Sequence, residues 1–192
     1  MIAILKYNAG NTRSVENAVK RLGYDCVITD DKELLLKADK VIFPGVGEAG
    51  SAMEYLIEKG LDVTIKSLKQ PVLGICLGLQ LMCKSSEEGH TTGLGIFDCK
   101  VKKFPPKDKV PHMGWNNFEL LDNALFKGIK TSDDAYFVHS YYAKLSKATI
   151  ATCNYILPFS AGLQKDNFYA VQFHTEKSGK IGEQILKNFL EL

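Results

Sequence analysis

The sequence lacks the features that would place the protein in a membrane, outside the cell or on nucleic acid. No apolar stretch approaches the length that spans a bilayer, and the first apolar run, MIAILKY, is shorter than the core of a secretory signal. No run of five like charges occurs in the 192 residues, and the formal net charge is only +2. We therefore expect a cytoplasmic protein whose main partner is neither nucleic acid nor a membrane.

Cysteine pairs with metal-ligand spacing are also missing. The cysteines are odd in number and form no C-x-x-C: Cys26, Cys76, Cys83, Cys99 and Cys153. A disulfide framework and a zinc site are therefore not expected, and no other pattern indicates a metal or a cofactor. Most of these side chains should be small buried hydrophobes, with Cys76 as the exception.

What the chain does contain is an alternation of strand-like and helix-like segments. Strands are predicted at 2–7, 24–29, 40–45 and 71–76, with helices after Asn11 or Thr12, over 49–59 and over 77–88. The helix over 49–59 should bury Ala49, Met53, Leu56 and Ile57. The second half is richer in strands, at 94–104, 116–121, 135–145, 149–156, 160–164 and 168–174, before a last helix over 178–190.

Alternation of this kind gives parallel strands covered by helices. We therefore expect an α/β fold in three layers, a mixed and mostly parallel sheet with helices on both faces. No linker or repeat interrupts the chain, so residues 1–192 should form a single domain.

The sharpest chemical motif is GICLGLQ, residues 74–80, at a predicted strand-to-helix junction. A nucleophile there sits on a tight turn above the end of the sheet, and Gly74 and Gly78 leave room where a Cβ would clash. The following helix N-terminus favours the thiolate of Cys76, which is the reactive form. The motif favours a nucleophile over an ordinary buried cysteine. Alone, it does not distinguish a glutaminase from a peptidase or an esterase.

A second motif, QFHTEKS at residues 172–178, closes a predicted strand. His174 and Glu176 are two residues apart, so both should point to one side of an extended chain. The carboxylate can orient the imidazole and stabilise its charged form, and the imidazole can deprotonate a thiol. A single histidine on an apolar strand is more often structural, but the carboxylate and Cys76 together favour a catalytic triad.

A third motif, PGVG at residues 44–47, ends the third predicted strand. Its glycines would let backbone N–H groups turn toward a developing oxyanion, although the same letters also describe an ordinary turn. Sites in parallel α/β sheets gather at the carboxyl ends of strands. Because PGVG, Cys76 and His174 all lie at such ends, we expect them to converge.

Together these motifs resemble the class I glutamine amidotransferase family over essentially the whole chain. Several segments resemble one branch of it in particular, the glutaminase subunits of imidazole glycerol phosphate synthases. They are YNAGNTRSV (7–15), FPGVGEA (43–49), GICLGLQLM (74–82), VPHMGWNNF (110–118) and YFVHSYY (136–142). The triad motifs are common to the family, whereas the last two segments are much more specific to this branch.

The resemblance implies a role for each matching position. Cys76 would be the nucleophile, His174 the general acid/base and Glu176 its orienter. The backbone N–H of Leu77 and one from Val46 or Gly47 would form the oxyanion hole. Gln80 and the backbone around Ser140 and Tyr141 would hold the substrate glutamine. Asn11, Trp115, Asn116 and Lys177 would lie at the interface with a (β/α)8-barrel cyclase, which receives the ammonia in histidine biosynthesis.

The chain departs from the family pattern at two places. Thr175 stands where the family usually has a proline between the histidine and the glutamate, and proline would stiffen that segment. Lys6-Tyr7 ends the first strand where an acidic residue is more common, at a position that the resemblance places toward the partner. Neither change removes a member of the triad.

Other functions stay open at this point. A related barrel partner could use the ammonia to amidate a sugar for surface polysaccharide. The chain could also be a cysteine peptidase or related hydrolase of similar fold, or a non-catalytic binding module, against which the complete triad argues. His90, His112 and His139 are expected to be exposed, structural or interface residues rather than catalysts.

Overall fold

The computed structural model describes residues 1–8 and 10–192. The first half alternates strands and helices: β1 (Ile2–Leu5), α1 (Thr12–Arg21), β2 (Cys26–Thr29), α2 (Lys32–Lys37), β3 (Lys40–Phe43), α3 (Ala49–Glu58), α4 (Leu61–Ser67), β4 (Val72–Ile75) and α5 (Leu77–Met82). Strands dominate the second half: β5 (Cys83–Ser86), β6 (Thr91–Thr92), β7 (Phe97–Lys103), β8 (His112–Asn116), β9 (Leu120–Leu121), β10 (Ala135–His139), β11 (Tyr141–Ala143), β12 (Thr149–Tyr155), β13 (Leu157–Lys165) and β14 (Phe168–Val171), followed by α6 (Gly179–Leu190).

A mixed eight-stranded sheet forms the centre of the molecule, in the order β2-β1-β3-β4-β14-β13-β12-β9. The pairings from β2 to β14 are parallel, and those from β14 to β9 are antiparallel. The carboxyl ends of β3, β4 and β14 therefore lie side by side at one edge of the sheet. This is the edge at which sites form in parallel α/β folds.

Helices cover both faces of this sheet, as predicted. Along β1, Ala3 and Leu5 join one buried cluster, whereas Ile2 and Ile4 join the other. The first cluster is completed by α2, α3 and α4, and the second by α1 and α6. Parallel strands that are buried on both faces need continuous apolar sequence, and this is why β1 reads IAIL.

Two smaller sheets stand beside the central one. β11, β7, β5 and β6 form a four-stranded sheet, and β10 pairs with β8 in a two-stranded ribbon. The sequence predicted one strand over 135–145, but Ser140 interrupts it. Its carbonyl oxygen accepts the N–H of Phe104, and the chain leaves the ribbon for the other sheet at this point. The interruption places the Ser140 backbone beside the end of β4, in the cavity that contains Cys76.

Other predictions need correction. The helix over 77–88 ends at Met82, because the N–H groups of Leu94 and Gly95 occupy the carbonyl oxygens of Leu81 and Cys83, which a longer helix would need. Residues 83–86 instead form β5. Ile57, which was predicted to be buried, is 59% exposed. Ala52, which was not predicted to be buried, lies in the core instead. The short helices α2 and α4 and strand β8 were not predicted.

Along the part of the chain that the structure describes, none of the helices has the length and apolar character needed to cross a bilayer.

Candidate active site

Cys76 lies on the sharp turn between β4 and α5. Its backbone has φ 53° and ψ −103°, a combination that side-chain-bearing residues rarely adopt. The N–H of Cys76 donates to the carbonyl oxygen of Val171 on the neighbouring strand at 2.8 Å, which holds the turn against β14. Strained backbone of this kind persists where the surrounding structure enforces it, and it is concentrated at functional sites.

Two glycines make the Cys76 turn possible, as the sequence predicted. A Cβ on Gly78 would lie 2.0 Å from the carbonyl oxygen of Phe43, and one on Gly74 would lie 3.0 Å from the backbone of Gly78. Any larger residue at position 78 would push α5 away from β3. The G-x-C-x-G spacing is therefore required by the close approach of a strand, a turn and a helix around the thiol.

His174 and Glu176 form a buried pair beyond the end of β14. The strand ends at Val171 and residues 175–177 form a 3-10 turn, so the two residues do not share the extended chain that the sequence predicted. The turn nevertheless brings Glu176 Oε1 to 2.7 Å from His174 Nδ1, with both side chains fully buried. Since an ionised carboxylate only accepts hydrogen bonds, Nδ1 carries a proton.

The charges of this pair stabilise each other. Burial alone would lower the pKa of His174, but its interactions with Cys76 and Glu176 outweigh burial and raise the pKa to about 10. Burial would likewise raise the pKa of Glu176, but hydrogen bonds from His174 and Asn11 lower it overall. The raised pKa favours an imidazolium, with the Glu176 carboxylate at its Nδ1 and the Cys76 sulfur nearby. His174 Nε2 has no hydrogen-bond partner among residues 1–8 and 10–192, so it is available to a reacting group.

Two further residues fix the His174–Glu176 turn. The side-chain amide of Asn11 donates to Glu176 Oε1, so this residue supports the carboxylate directly. The hydroxyl of Ser178 donates to the carbonyl oxygen of His174 at 2.6 Å and accepts the N–H of Tyr136 at 2.9 Å. Thr175, between the pair, is buried, and its hydroxyl has no partner among the described residues.

A cavity of about 370 Å³ opens over Cys76 and His174, within the usual range for small-molecule sites. Residues predicted for the oxyanion hole and for glutamine binding line it together: Val46, Gly47, Leu77, Gln80, Ser140 and Tyr141. Glu88, which the sequence did not single out, also lines it and accepts the N–H of Ala49 at 2.9 Å. Burial raises the pKa of Glu88, with a further contribution from the charge of Glu48.

Gln80 is anchored by its own amide group. Its Nε2 donates to the carbonyl oxygen of Tyr141 at 2.9 Å and to Gln172 Oε1 at 3.1 Å. Both N–H bonds are thereby used, so the atom that Gln80 can offer to a ligand is its carbonyl oxygen. The second partner, Gln172, is fully buried and was not predicted as a site residue.

The predicted oxyanion hole is closed in this structure. The N–H of Leu77 donates to the carbonyl oxygen of Gly45 at 3.3 Å. Tyr7 is buried and its hydroxyl donates to the carbonyl oxygen of Pro44 at 2.7 Å, so it fixes the start of the PGVG segment. Burial raises the pKa of Tyr7 well above its usual value, so the phenol remains a donor. Lys6 is exposed, whereas Tyr7 faces the interior.

Two buried histidines, His112 and His139, form a pair beside the cavity, and His139 is one of its lining residues. His112 Nδ1 is 3.0 Å from His139 Nε2, and His139 Nδ1 is 2.8 Å from the carbonyl oxygen of Tyr141. Because a carbonyl only accepts, His139 is protonated on Nδ1, so its Nε2 accepts from His112 Nδ1–H. Burial lowers the pKa of His112 to about 4 and that of His139 to about 3, so both rings are neutral.

The predicted interface residues divide into two groups. Trp115 is 57% exposed and packs edge-on against Tyr136, and Lys177 Nζ lies 5.9 Å from the centre of the Tyr136 ring. These three side chains form a continuous surface beside the Glu176 turn. Asn116 lies on the opposite face of β8, with its side-chain amide 3.3 Å from His112 Nε2 and 3.0 Å from the carbonyl oxygen of Asn154.

Sequence reasoning missed Gln172, Glu88 and Tyr7. Gln172 could have been found, since it is two residues before His174 in the same motif. Glu88 could not, because it was assigned to a helix that ends at Met82. Among the described residues, no group of three or more His, Cys, Asp or Glu side chains lies close enough to hold a metal ion.

Comparison with known proteins gives a consistent result. The family model described as "Glutamine amidotransferase class-I" matches residues 3–192. The chain is 62% identical to a Bacteroides fragilis protein named imidazole glycerol phosphate synthase subunit HisH, over 100% of this chain and 99% of that protein. It is 59% identical to the protein of the same name from Bacteroides thetaiotaomicron, with the same coverage.

Solved structures confirm the fold. A putative GMP synthase protein from Thermoplasma acidophilum superposes with a TM-score of 0.72 at 22% identity, covering 100% of this chain and 92% of that one. A structure described as a glutamine amidotransferase superposes with a TM-score of 0.73, also at 22% identity, covering 99% of this chain and 97% of that one. At this identity the likeness concerns the three-dimensional arrangement of the chain alone.

Proposed function

The chain belongs to the class I glutamine amidotransferase family, and from that premise we propose that it is the glutaminase subunit of an imidazole glycerol phosphate synthase. We further propose that residues 1–192 form one glutaminase domain whose chemistry is carried by Cys76, His174 and Glu176. The observation that carries the assignment of the site is the strained turn of Cys76, which opens into the same cavity as a histidine held by a buried carboxylate.

The proposed reaction has two halves. The Cys76 sulfur attacks the side-chain amide carbon of glutamine, and the tetrahedral intermediate collapses as His174 gives its Nε2 proton to the leaving nitrogen. Ammonia departs and a glutamyl thioester remains. Water then attacks the thioester while His174 accepts its proton, and glutamate leaves as the sulfur takes back its electron pair. Glu176 holds the imidazole in the tautomer that both halves require.

The cavity supplies contacts for the amino-acid part of the substrate. Glu88 offers a carboxylate oxygen and Gln80 a carbonyl oxygen, and both atoms accept hydrogen bonds from an ammonium group. The Ser140–Tyr141 backbone forms the facing wall. It is held there because the Tyr141 carbonyl oxygen accepts from both Gln80 and His139.

We infer that the isolated chain turns over slowly. The Leu77 N–H would be needed to stabilise the oxyanion, but it is bound to Gly45. Opening that bond and turning a peptide of Val46 or Gly47 toward the cavity would complete the oxyanion hole. Docking of a barrel partner, and binding of its own substrate, would favour the open arrangement.

The partner surface that we propose is centred on Trp115, Tyr136 and Lys177. A large exposed aromatic ring beside a cation is typical of the residues that dominate protein interfaces. The surface adjoins Glu176 and Asn11, so a barrel seated there would lie close to the site of ammonia release. A (β/α)8 cyclase subunit would then receive the ammonia without its loss to solvent.

The test is glutamate release from glutamine by the chain alone, with the cognate cyclase, and with the cyclase together with its nucleotide substrate. We expect strong stimulation by the partner and formation of imidazole glycerol phosphate. Cys76→Ala should reduce glutamate release to background while leaving partner binding intact. Activity retained by that variant would show that the nucleophile is wrong, and full turnover without a partner would contradict the closed oxyanion hole.

Trp115→Ala tests the proposed surface separately. We expect it to weaken partner binding by roughly 30-fold, as for an interface hot spot, with glutamate release restored at saturating partner. The matched control is Met113→Ala, since Met113 is 60% exposed on the same face of β8. Equal binding by the Trp115 variant and the parent chain would move the interface elsewhere.

A further inference from the structure

Gln172 is a fully buried polar side chain that the reaction described above does not use. Its Nε2 lies 3.6 Å from the Cys76 sulfur, and its Oε1 accepts from Gln80 Nε2 at 3.1 Å. Burying an amide costs free energy unless its polar atoms are hydrogen-bonded, and one of its partners here is the reacting atom itself.

The direction of this contact follows from the atoms around it. The carbonyl oxygen of Tyr141 can only accept, so Gln80 must present its NH₂ group to it. The same NH₂ group faces Gln172, which must therefore turn its oxygen toward Gln80. The NH₂ group of Gln172 is left facing the sulfur. A backbone carbonyl thus sets the orientation of two side-chain amides in succession, ending on Cys76.

We propose that Gln172 is a further catalytic residue, whose amide N–H donates to the Cys76 sulfur and stabilises it as the thiolate. The proposal deepens the glutaminase assignment and rests on it for its meaning. In the first half of the reaction the N–H stabilises the attacking thiolate. In the second half the C–S bond breaks and the sulfur takes the electron pair, so the same N–H stabilises the leaving sulfur. Hydrogen bonds to charged acceptors are the stronger ones.

The Tyr141–Gln80 chain has a positioning role in this proposal. Without the Gln80 donor, the Gln172 amide could rotate by half a turn and direct its oxygen at the sulfur. An oxygen there would repel the thiolate. The two amides therefore act as one unit whose orientation is set by a strand of the neighbouring sheet.

Alkylation of Cys76 by iodoacetamide tests the proposal without substrate or partner. The rate is followed by mass spectrometry of the Cys76 peptide from pH 5 to 10, on the full chain. We expect Gln172→Leu to slow alkylation at neutral pH roughly tenfold, as for loss of a hydrogen bond to a charged group, and to move the midpoint of the profile to higher pH. Gln80→Met should do the same to a smaller extent.

Two controls separate this role from a structural one. Asn188→Leu removes another buried amide, which donates to the carbonyl oxygens of Leu125 and Lys127, and it should leave Cys76 alkylation unchanged. Gln172→Glu keeps the shape of the side chain but brings a negative charge to the sulfur, so it should slow alkylation more than leucine does. Parent-like alkylation profiles for both Gln172 variants would overturn the proposal, and so would an equal slowing by Asn188→Leu.

Kinetics in the assembled complex complete the test. Gln172→Leu should lower kcat for glutamate release about tenfold with KM for glutamine changed less than about twofold, because the contact is with the nucleophile. A rise in KM alone would overturn the proposal. If no barrel partner elicits glutamate release but alkylation still depends on Gln172, the proposed function fails, and with it the catalytic role of Gln172, while its hydrogen bond to the Cys76 thiolate stands. If a barrel partner does elicit glutamate release but alkylation does not depend on Gln172, the proposed function stands and the catalytic role of Gln172 is wrong.

Discussion

Nδ1 of His174 faces the Glu176 carboxylate, whereas Nδ1 of His139 faces the carbonyl oxygen of Tyr141. Both rings are buried, at 0% and 6% exposure, yet the pKa is raised to about 10 in His174 and lowered to about 3 in His139. The interactions of His174 with Cys76 and with the Glu176 carboxylate together offset the cost of burying an imidazolium, whereas the carbonyl dipole beside His139 does not. The two histidines therefore differ in the groups that surround their rings, and both are buried.

The largest expected effect comes from removing the negative charge beside His174. Glu176→Gln keeps the hydrogen-bonding shape but not the carboxylate, so we expect the pKa of His174 to fall and glutamate release in the complex to drop roughly 10²–10⁴-fold. Steady-state release and an NMR titration of the ring measure the two effects. The control is Glu183→Gln, which removes an exposed ion pair with Arg21 and should change neither glutamate release nor the pKa of His174. Unchanged turnover in Glu176→Gln would end the triad assignment.

The second test breaks the neutral pair. His139→Phe leaves the His112 Nδ1–H buried without its acceptor, and we expect a loss of about 1–3 kcal/mol in the free energy of unfolding. His112→Phe should also destabilise, but the double variant should cost less than the sum, since both partners are then replaced by rings of similar shape. Urea unfolding followed by circular dichroism gives the coupling. Strictly additive losses would mean that the two rings do not share a hydrogen bond.

The third test uses pH, because the two pairs should give slopes of opposite sign. The pKa values of His112 and His139 are lower in the folded chain than the ordinary 6.5, so the unfolded chain binds more protons below that pH. Stability should therefore fall as the pH drops from 6.5 toward about 4, by up to about 1.4 kcal/mol per pH unit for each ring. The parent chain should lose stability relative to the His112→Phe/His139→Phe variant in this window.

Above pH 6.5 the contribution of His174 to stability should change with pH in the opposite direction. The pKa of His174 is raised, so its contribution is complete below pH 6.5 and is lost as the pH rises toward about 10. The stability difference between the parent chain and Glu176→Gln should shrink over this range. A difference that stays constant from pH 6.5 to 10 would mean that His174 is not charged at neutral pH.

The smallest expected effect concerns the residue between His174 and Glu176. Thr175→Pro removes a buried hydroxyl without a partner among the described residues, and the backbone of His174, at φ −89° and ψ 104°, already suits a residue that precedes proline. We expect the free energy of unfolding to rise by about 0.5–1 kcal/mol, with glutamate release changed less than about twofold. Thr175→Ala, which removes only the hydroxyl, separates the two contributions. Destabilisation by proline would show that the turn needs the Thr175 N–H.

Sequence periodicity was sufficient for the parts of the fold that depend on burial. β1, β3, β4, α1 and α6 were predicted because their apolar residues recur with the spacing of a strand or a helix. α2 and α4 were missed because six or seven residues contain too few turns for a periodic pattern. The strand over 135–145 reads as continuous, and its interruption at Ser140 depends on strands distant in sequence.

The candidate site shows the same division. Cys76, His174 and Glu176 could be predicted, since each belongs to a local motif whose chemistry requires those residue types. The hydrogen-bond partners of Gln172 and of the His112–His139 pair could not be, because they lie 96 and 27 residues away in sequence. Hydrogen-bond direction, which distinguishes these residues from ordinary core polar groups, is a property of three-dimensional placement.

Trp115 is the only tryptophan in the chain. It lies on the proposed partner surface, where it is 57% exposed and packs edge-on against Tyr136. Its fluorescence is thus a label that the protein already contains. Because the indole is exposed in the folded chain, unfolding should change its emission little. Docking of a barrel partner without a tryptophan at the contact should shift the emission to shorter wavelength. The fluorescence emission of Trp115 should therefore report assembly with the partner and change little when the chain unfolds.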